Sequence, residues 1–113
     1  MNQDQLSICL EYGSAYVEAE DDEMVGVALA TLDKEPLYGF RIVPAGDATG
    51  WYIYGGPWLD DPNFYQAISL GELKQRCPRV GKYLSLEPGF KFIINRAGYE
   101  DVWKDPIDAP AQT

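Results

Sequence analysis

The stretch Gly50-Trp51-Tyr52-Ile53-Tyr54-Gly55-Gly56-Pro57-Trp58-Leu59-Asp60-Asp61-Pro62-Asn63-Phe64-Tyr65 decides how the rest of the chain is read. It holds two of the three tryptophans and three of the eight tyrosines, the densest aromatic supply for a core. Its first half alternates, with Trp51 and Ile53 on one face of a strand and Tyr52 and Tyr54 on the other. Aromatics on both faces predict a central strand covered on both sides. Gly55-Gly56-Pro57 ends that strand, because glycine loosens the backbone and proline removes a donor. The loop that follows sets Trp58 beside Asp60 and Asp61, which makes the indole either a core plug or a contact surface.

Downstream, Ser69-Leu70-Gly71-Glu72 matches a capping box, in which serine and glutamate satisfy each other's orphan amides. Leu70, Leu73 and Cys77 share one face of the resulting helix, expected over about 69–77, while Lys74, Arg76 and Arg79 suit its negative end. Pro78 either ends this helix or starts a short second turn over 78–84 carrying Val80, Tyr83 and Leu84. Phe90 to Asn95 and Tyr99 to Trp103 form a hairpin, with Gly98 supplying a left-handed residue in the connection.

Upstream, Leu6, Ile8, Leu10 and Tyr12 alternate with Ser7, Cys9 and Glu11, a period of two that predicts a first strand. Gly13-Ser14 turns into a short strand at Ala15–Val17. Glu18 to Glu23 is too charged for a core and forms an exposed loop. Met24 to Leu32 reads as a strand, with Val25, Val27 and Leu29 on one face, and Tyr38 to Val43 as another. The sum is an α+β fold, a mostly antiparallel sheet with one principal helix packed on it. Residues 1–104 are expected to be one domain and 105–113 a frayed tail.

A chain of 113 residues can bury one modest core. It has no apolar run of the roughly 20 residues a membrane span needs and no signal-peptide pattern, so a cytoplasmic location is expected. Cys9 and Cys77 fit no metal spacing and are read as two buried free thiols, with a disulfide as the lesser alternative. The net charge of −9 is unevenly spread: residues 1–65 carry twelve carboxylates against Lys34 and Arg41, whereas residues 66–113 carry six against seven bases. Direct nucleic-acid binding is disfavoured, since phosphates need a basic footprint. A basic protein partner is favoured by charge complementarity, and solubility alone is the plainer explanation of the same charge.

With no histidine, the chain lacks Ser-His-Asp and Cys-His arrangements and the commonest metal ligand. It has no Gly-rich phosphate loop, and Glu18 to Glu23 lacks the spacing of an EF-hand calcium loop. Asp60 and Asp61 are the only pair worth testing for carboxylate catalysis, but glycosidase pairs come from separated segments. No catalytic residue, metal site or cofactor is therefore assigned. The candidate contact residues are Trp58, Asp60 and Asp61 on one loop and Glu20, Asp21, Asp22 and Glu23 on another. Tryptophan rimmed by charge is a common anchor at interfaces.

Several of these features together resemble the immunity protein 33 family of bacterial polymorphic toxin systems. They are Gly50-Trp51 in an aromatic strand, the Gly55-Gly56 pair, Asp61-Pro62-Asn63, the helix capped at Ser69, and Pro88-Gly89 before the strand through Phe92. The preceding strand from Val25 to Leu29 and the turn at Pro36 extend the likeness over roughly residues 13–103. The chain differs in having Asp47-Ala48-Thr49-Gly50-Trp51 where the family tends to have Asp-Ser-Gly-Trp, and Pro57-Trp58 where it tends to place acids. The resemblance implies a non-enzymatic cytoplasmic protein that binds a cognate toxin, including a nuclease whose basic cleft the acidic half would cover. Two other classes fit the composition: a small-ligand or carbohydrate module stacking on Tyr52, Tyr54 and Trp58, and a regulatory subunit of a larger assembly.

Overall fold

The computed structural model describes residues 2–44, 46 and 48–105. Six strands form one sheet: β1 (Met24–Val27), β2 (Leu37–Arg41), β3 (Ala48–Gly55), β4 (Gln66–Ser69), β5 (Phe90–Ile94) and β6 (Glu100–Lys104), in the order β4-β1-β3-β2-β5-β6. β1 and β3 run parallel, and every other neighbouring pair is antiparallel. The helices α1 (Gln3–Tyr12) and α2 (Leu70–Arg76) and a 3-10 segment, Pro78–Tyr83, supply the helical part of an α+β fold. The frayed tail expected after residue 104 lies, beyond Asp105, outside the described residues.

The first strand expected at Leu6–Tyr12 is instead the helix α1. Asn2 caps it by accepting from the Gln5 amide at 3.1 Å, and Gly13 ends it in the left-handed conformation at φ 72°. Its buried residues Gln5, Ile8 and Cys9 follow i, i+3, i+4, while Leu10 is 73% exposed. The even-numbered apolar residues mimic a strand, but only half of them face the core. The short strand expected at Ala15–Val17 reduces to a single bridge between Tyr16 and Leu86. The strand expected over Met24–Leu32 stops at Val27, and Leu29–Thr31 forms a 3-10 turn. β4, absent from the sequence reading, pairs along the whole of β1.

The strand expected over Tyr38–Val43 runs Leu37–Arg41, and of the capping box expected at Ser69 and Glu72 the serine half forms while the Glu72 carboxylate pairs with Arg76 at 2.7 Å. Ser69 caps α2 by accepting from the Glu72 amide at 3.2 Å. The β5–β6 hairpin turns through Gly98 at φ 95°. Cys9 and Cys77 are buried and free.

β3 is central, with Trp51 and Ile53 buried against the helical layer. Its path bends at a bulge, where Met24 pairs with Ala48 but Gly26 already pairs with Tyr52. Gly50 takes φ 88° there, and Thr49 fills the gap by donating to the Met24 carbonyl and accepting from the Trp51 amide, both at 3.0 Å. Beside it, Arg41 is 3% exposed and, among the described residues, is held by backbone carbonyls and not by a carboxylate. It donates to Thr49 at 2.8 Å, Val17 at 2.9 Å and Leu86 at 2.7 Å, tying the loop after α1 and the segment before β5 to the sheet. Val27, Leu37, Leu73, Val80 and Leu84, all fully buried, complete the core. Each contributes about 1.5–3 kcal/mol by leaving water.

Candidate functional site

The second face of the sheet is where the structure departs from a strand covered on both sides. Among the described residues no helix packs there. Alternation along β2 and β3 puts Tyr38, Phe40, Tyr52 and Tyr54 on it, all half-buried. Register makes them cross-strand pairs: Tyr38 stacks on Tyr54 with centroids 4.8 Å apart, and Phe40 on Tyr52 at 5.3 Å. Gly26 on β1 makes room, since a β-carbon there would lie 2.7 Å from the Tyr52 ring. On the far side β5 and β6 contribute Lys91, Ile93, Asp101 and Trp103 to the same face.

The loop between β3 and β4 folds back over part of this face. Phe64 is 8% exposed and meets Tyr54 edge-on at 5.7 Å, while Tyr65 meets Tyr52 edge-on at 5.1 Å. Trp58 leans on Phe64 at 6.2 Å yet remains 54% exposed. Two open grooves flank the loop. One, of about 350 Å³, lies between Gly26, Ile42, Val43, Tyr52 and Tyr65. The other, of about 420 Å³, lies between Tyr38, Phe40, Tyr54, Trp58, Ile93 and Trp103. Ile42, Val43, Trp58 and Leu59 are all exposed large apolar side chains on the groove walls or the loop. An apolar surface gathered in this way is the usual mark of an interaction site.

The two acidic segments singled out in the sequence are not brought together. β1 begins directly after Glu23 and β4 directly after Tyr65, and these strands run antiparallel. The two loops therefore sit at opposite ends of the strand pair. Glu20, Asp21 and Asp22 are exposed and Glu23 is half-buried, and this loop mainly fastens α2. The Glu23 and Asp21 carbonyls accept from the Leu70 and Gly71 amides at 2.8 and 3.0 Å, and the Asp21 carboxylate meets Lys74 at 2.7 Å. Asp60 and Asp61 are exposed beside Trp58. The side chain of Asp61 is also used locally, accepting from the Asn63 amide at 2.9 Å to hold the turn.

Sequence reasoning identified Tyr52, Tyr54 and Trp58 but missed Tyr38, Phe40, Ile93 and Trp103 as parts of one surface. Their alternation within β2, β5 and β6 was the available signal; the strand order that joins them was not. Lys91 is the basic residue on this face and is paired with Asp105 at 2.8 Å. The Tyr65 hydroxyl is buried without a hydrogen-bond partner among the described residues, and burial raises its pKa while the neighbouring Trp58 indole partly offsets that shift. Among the described residues no three His, Cys, Asp or Glu side chains gather as a metal site, and no helix is long and apolar enough to cross a membrane.

No curated protein and no solved structure matches the chain significantly. The Imm33-like domain, in contrast, matches residues 4–105, which include every strand and nearly all of α1. The chain belongs to the Imm33-like domain family.

Proposed function

We propose that this chain is an immunity protein that neutralises a cognate toxin by binding it, without chemistry of its own, in the cytoplasm of the producing cell. The family match over residues 4–105 carries this reading. An exposed aromatic loop flanked by carboxylates is consistent with it. The mechanism is occlusion: Asp60 and Asp61, around Trp58, occupy a basic cleft on the toxin. If the toxin is a nuclease, these carboxylates stand where its substrate phosphates would bind.

The ligand-module reading is less well supported. The rings it needs are already engaged, with Tyr52 and Tyr54 stacked on Phe40 and Tyr38 and met edge-on by Tyr65 and Phe64. The grooves are open troughs, whereas small-ligand sites enclose most of their ligand.

The test is co-purification with the product of the adjacent gene, followed by titration at low and high salt. A tight complex that weakens with salt supports occlusion by acids. Reversal at Asp60→Lys, combined with Asp61→Asn to keep the turn acceptor, should then slow association and flatten its salt dependence. An unchanged association rate at low salt removes this loop from the mechanism. No complex with any neighbouring product sinks the immunity reading.

A further inference from the structure

The groove between Tyr38, Tyr54, Trp58 and Trp103 has a chemistry of its own, and it refines the reading above, on which it rests. We infer that this groove seats an arginine side chain projecting from the protein partner. Its lining is largely aromatic, and aromatic rings attract a cation, a planar guanidinium above all. Outside its lining, Asp60 and Asp61 follow Trp58 on the loop and Asp101 pairs with Ile93 in the β5–β6 ladder, so each carboxylate neighbours a lining residue in sequence or register. None of the three has an ion-pair partner among the described residues. The basic residue of the groove, Lys91, is held by Asp105 and adds no net charge. A guanidinium entering here therefore meets the half-exposed Trp58 ring and carboxylates that have no ion-pair partner among the described residues.

Charge also decides against the other occupants. A second copy docking through this face would bring both sets of Asp60, Asp61 and Asp101 into one interface, where like charges repel. A neutral apolar segment would bury the rings but leave the three carboxylates without partners. An arginine does both jobs, and its partner protein need only be basic at that point. The groove, at about 420 Å³, is larger than one side chain, so the backbone on either side of the arginine can also enter its mouth.

The probe is an acetylated and amidated Gly-Arg-Gly-Arg-Gly peptide, titrated into the ¹⁵N-labelled full chain, with the neutral citrulline isostere as control. The indole N–H signals of Trp58 and Trp103 report the groove, and that of Trp51, which donates to the Leu84 carbonyl at 2.9 Å in the core, reports the fold. The expected result is a saturable shift of the first two alone, with the citrulline peptide binding roughly tenfold more weakly. Trp58→Leu should weaken the arginine peptide by a similar factor while leaving the Trp51 signal in place. If that variant does not fold, Asp101→Asn provides the same comparison at an exposed position. Equal binding of both peptides, shifts confined to Glu20–Glu23, or shifts that appear on concentrating the protein alone would each overturn the assignment.

The same variants separate this inference from the immunity reading. A toxin complex that survives Trp58→Leu and Asp101→Lys at full affinity overturns the arginine seat and leaves immunity standing. A chain that takes the arginine peptide at this groove but binds no toxin overturns the immunity reading and leaves the seat.

Discussion

Arg41 and Trp51 face each other across the β2–β3 ladder, with the guanidinium 5.7 Å from the indole centroid, and both donate to the carbonyl of Leu84. A charged side chain and the largest core ring thus hold the same point of backbone in the segment before β5. Burial lowers the pKa of Arg41, yet the group stays charged because carbonyls replace the water it lost.

Replacing Arg41 by Met should therefore cost more than the cavity it leaves. The carbonyls of Thr49, Val17 and Leu86 would lose their shared donor inside the core, for about 3 kcal/mol or more. Arg41→Lys should recover little, because one ammonium cannot span acceptors placed for a planar fork. Denaturant unfolding checks both, and a Lys variant as stable as the parent would refute the fork argument.

Glu100 accepts from Tyr12 at 2.6 Å and from Tyr83 at 2.9 Å, joining α1, the 3-10 segment and β6. The Tyr12 hydroxyl, followed by that of Tyr83, holds its carboxyl below the usual range. That stabilisation is complete above the unfolded value of about 4.3 and is lost as pH falls through the folded one. Glu100→Gln should cost about 1–2 kcal/mol at neutral pH, since its amide N–H opposes one phenol. The gap between variant and parent should narrow as pH falls below the unfolded value and through the lowered folded one. Melting curves at several pH values read it, and a gap independent of pH would count against the carboxylate.

Gly50 bridges the bulge at φ 88°, and a β-carbon there would strike the Ile42 carbonyl. Gly50→Ala should cost at least about 1 kcal/mol from the left-handed backbone alone, and more from the clash. Because the bulge sets the register of β1 on β3, the variant should also perturb Tyr52, whose ring covers Gly26. A well-folded alanine variant with parental stability would mean that the bulge relaxes freely.

The Tyr65 hydroxyl can be tested by removal. A buried phenol without a partner lowers stability, so Tyr65→Phe should be neutral or stabilising by up to about 1 kcal/mol. A loss of stability would show that the hydroxyl has a partner after all, with the Trp58 indole the first to examine.

Cys9 and Cys77 should react slowly with a thiol reagent in the native state and promptly on unfolding. Both are buried, and burial pushes both thiols up, away from the reactive thiolate. Fast modification of either in the folded protein would contradict the packing around it.

Legibility followed the range of the interactions involved. The Ser69 cap, Gly98 in its hairpin, and the alternation of Trp51 and Ile53 act within a few residues and appear as read, although Glu72 pairs with Arg76 at 2.7 Å where the capping box predicts a reciprocal bond to the Ser69 amide. α1 was misread although its own local signals were present: Asn2, Gln5 and Gly13 mark its two ends. A period of two among Leu6, Ile8, Leu10 and Tyr12 obscured them, because a tally of apolar residues cannot tell that Leu10 faces water.

The candidate surface divides in the same way. The chain by itself determined that Trp58 sits among acids on a loop after a glycine-rich break, and that Tyr52 and Tyr54 share a strand face, since both facts are local chemistry and pleat. Only the tertiary structure decided that Tyr38, Phe40, Ile93 and Trp103 join them, because that depends on β2 and β5 pairing side by side. It also decided that Glu20–Glu23 lie apart from Asp60 and Asp61, which depends on the direction in which β4 returns along β1. Strand order and direction are set by the packing of the whole core, and no short stretch of sequence carries them.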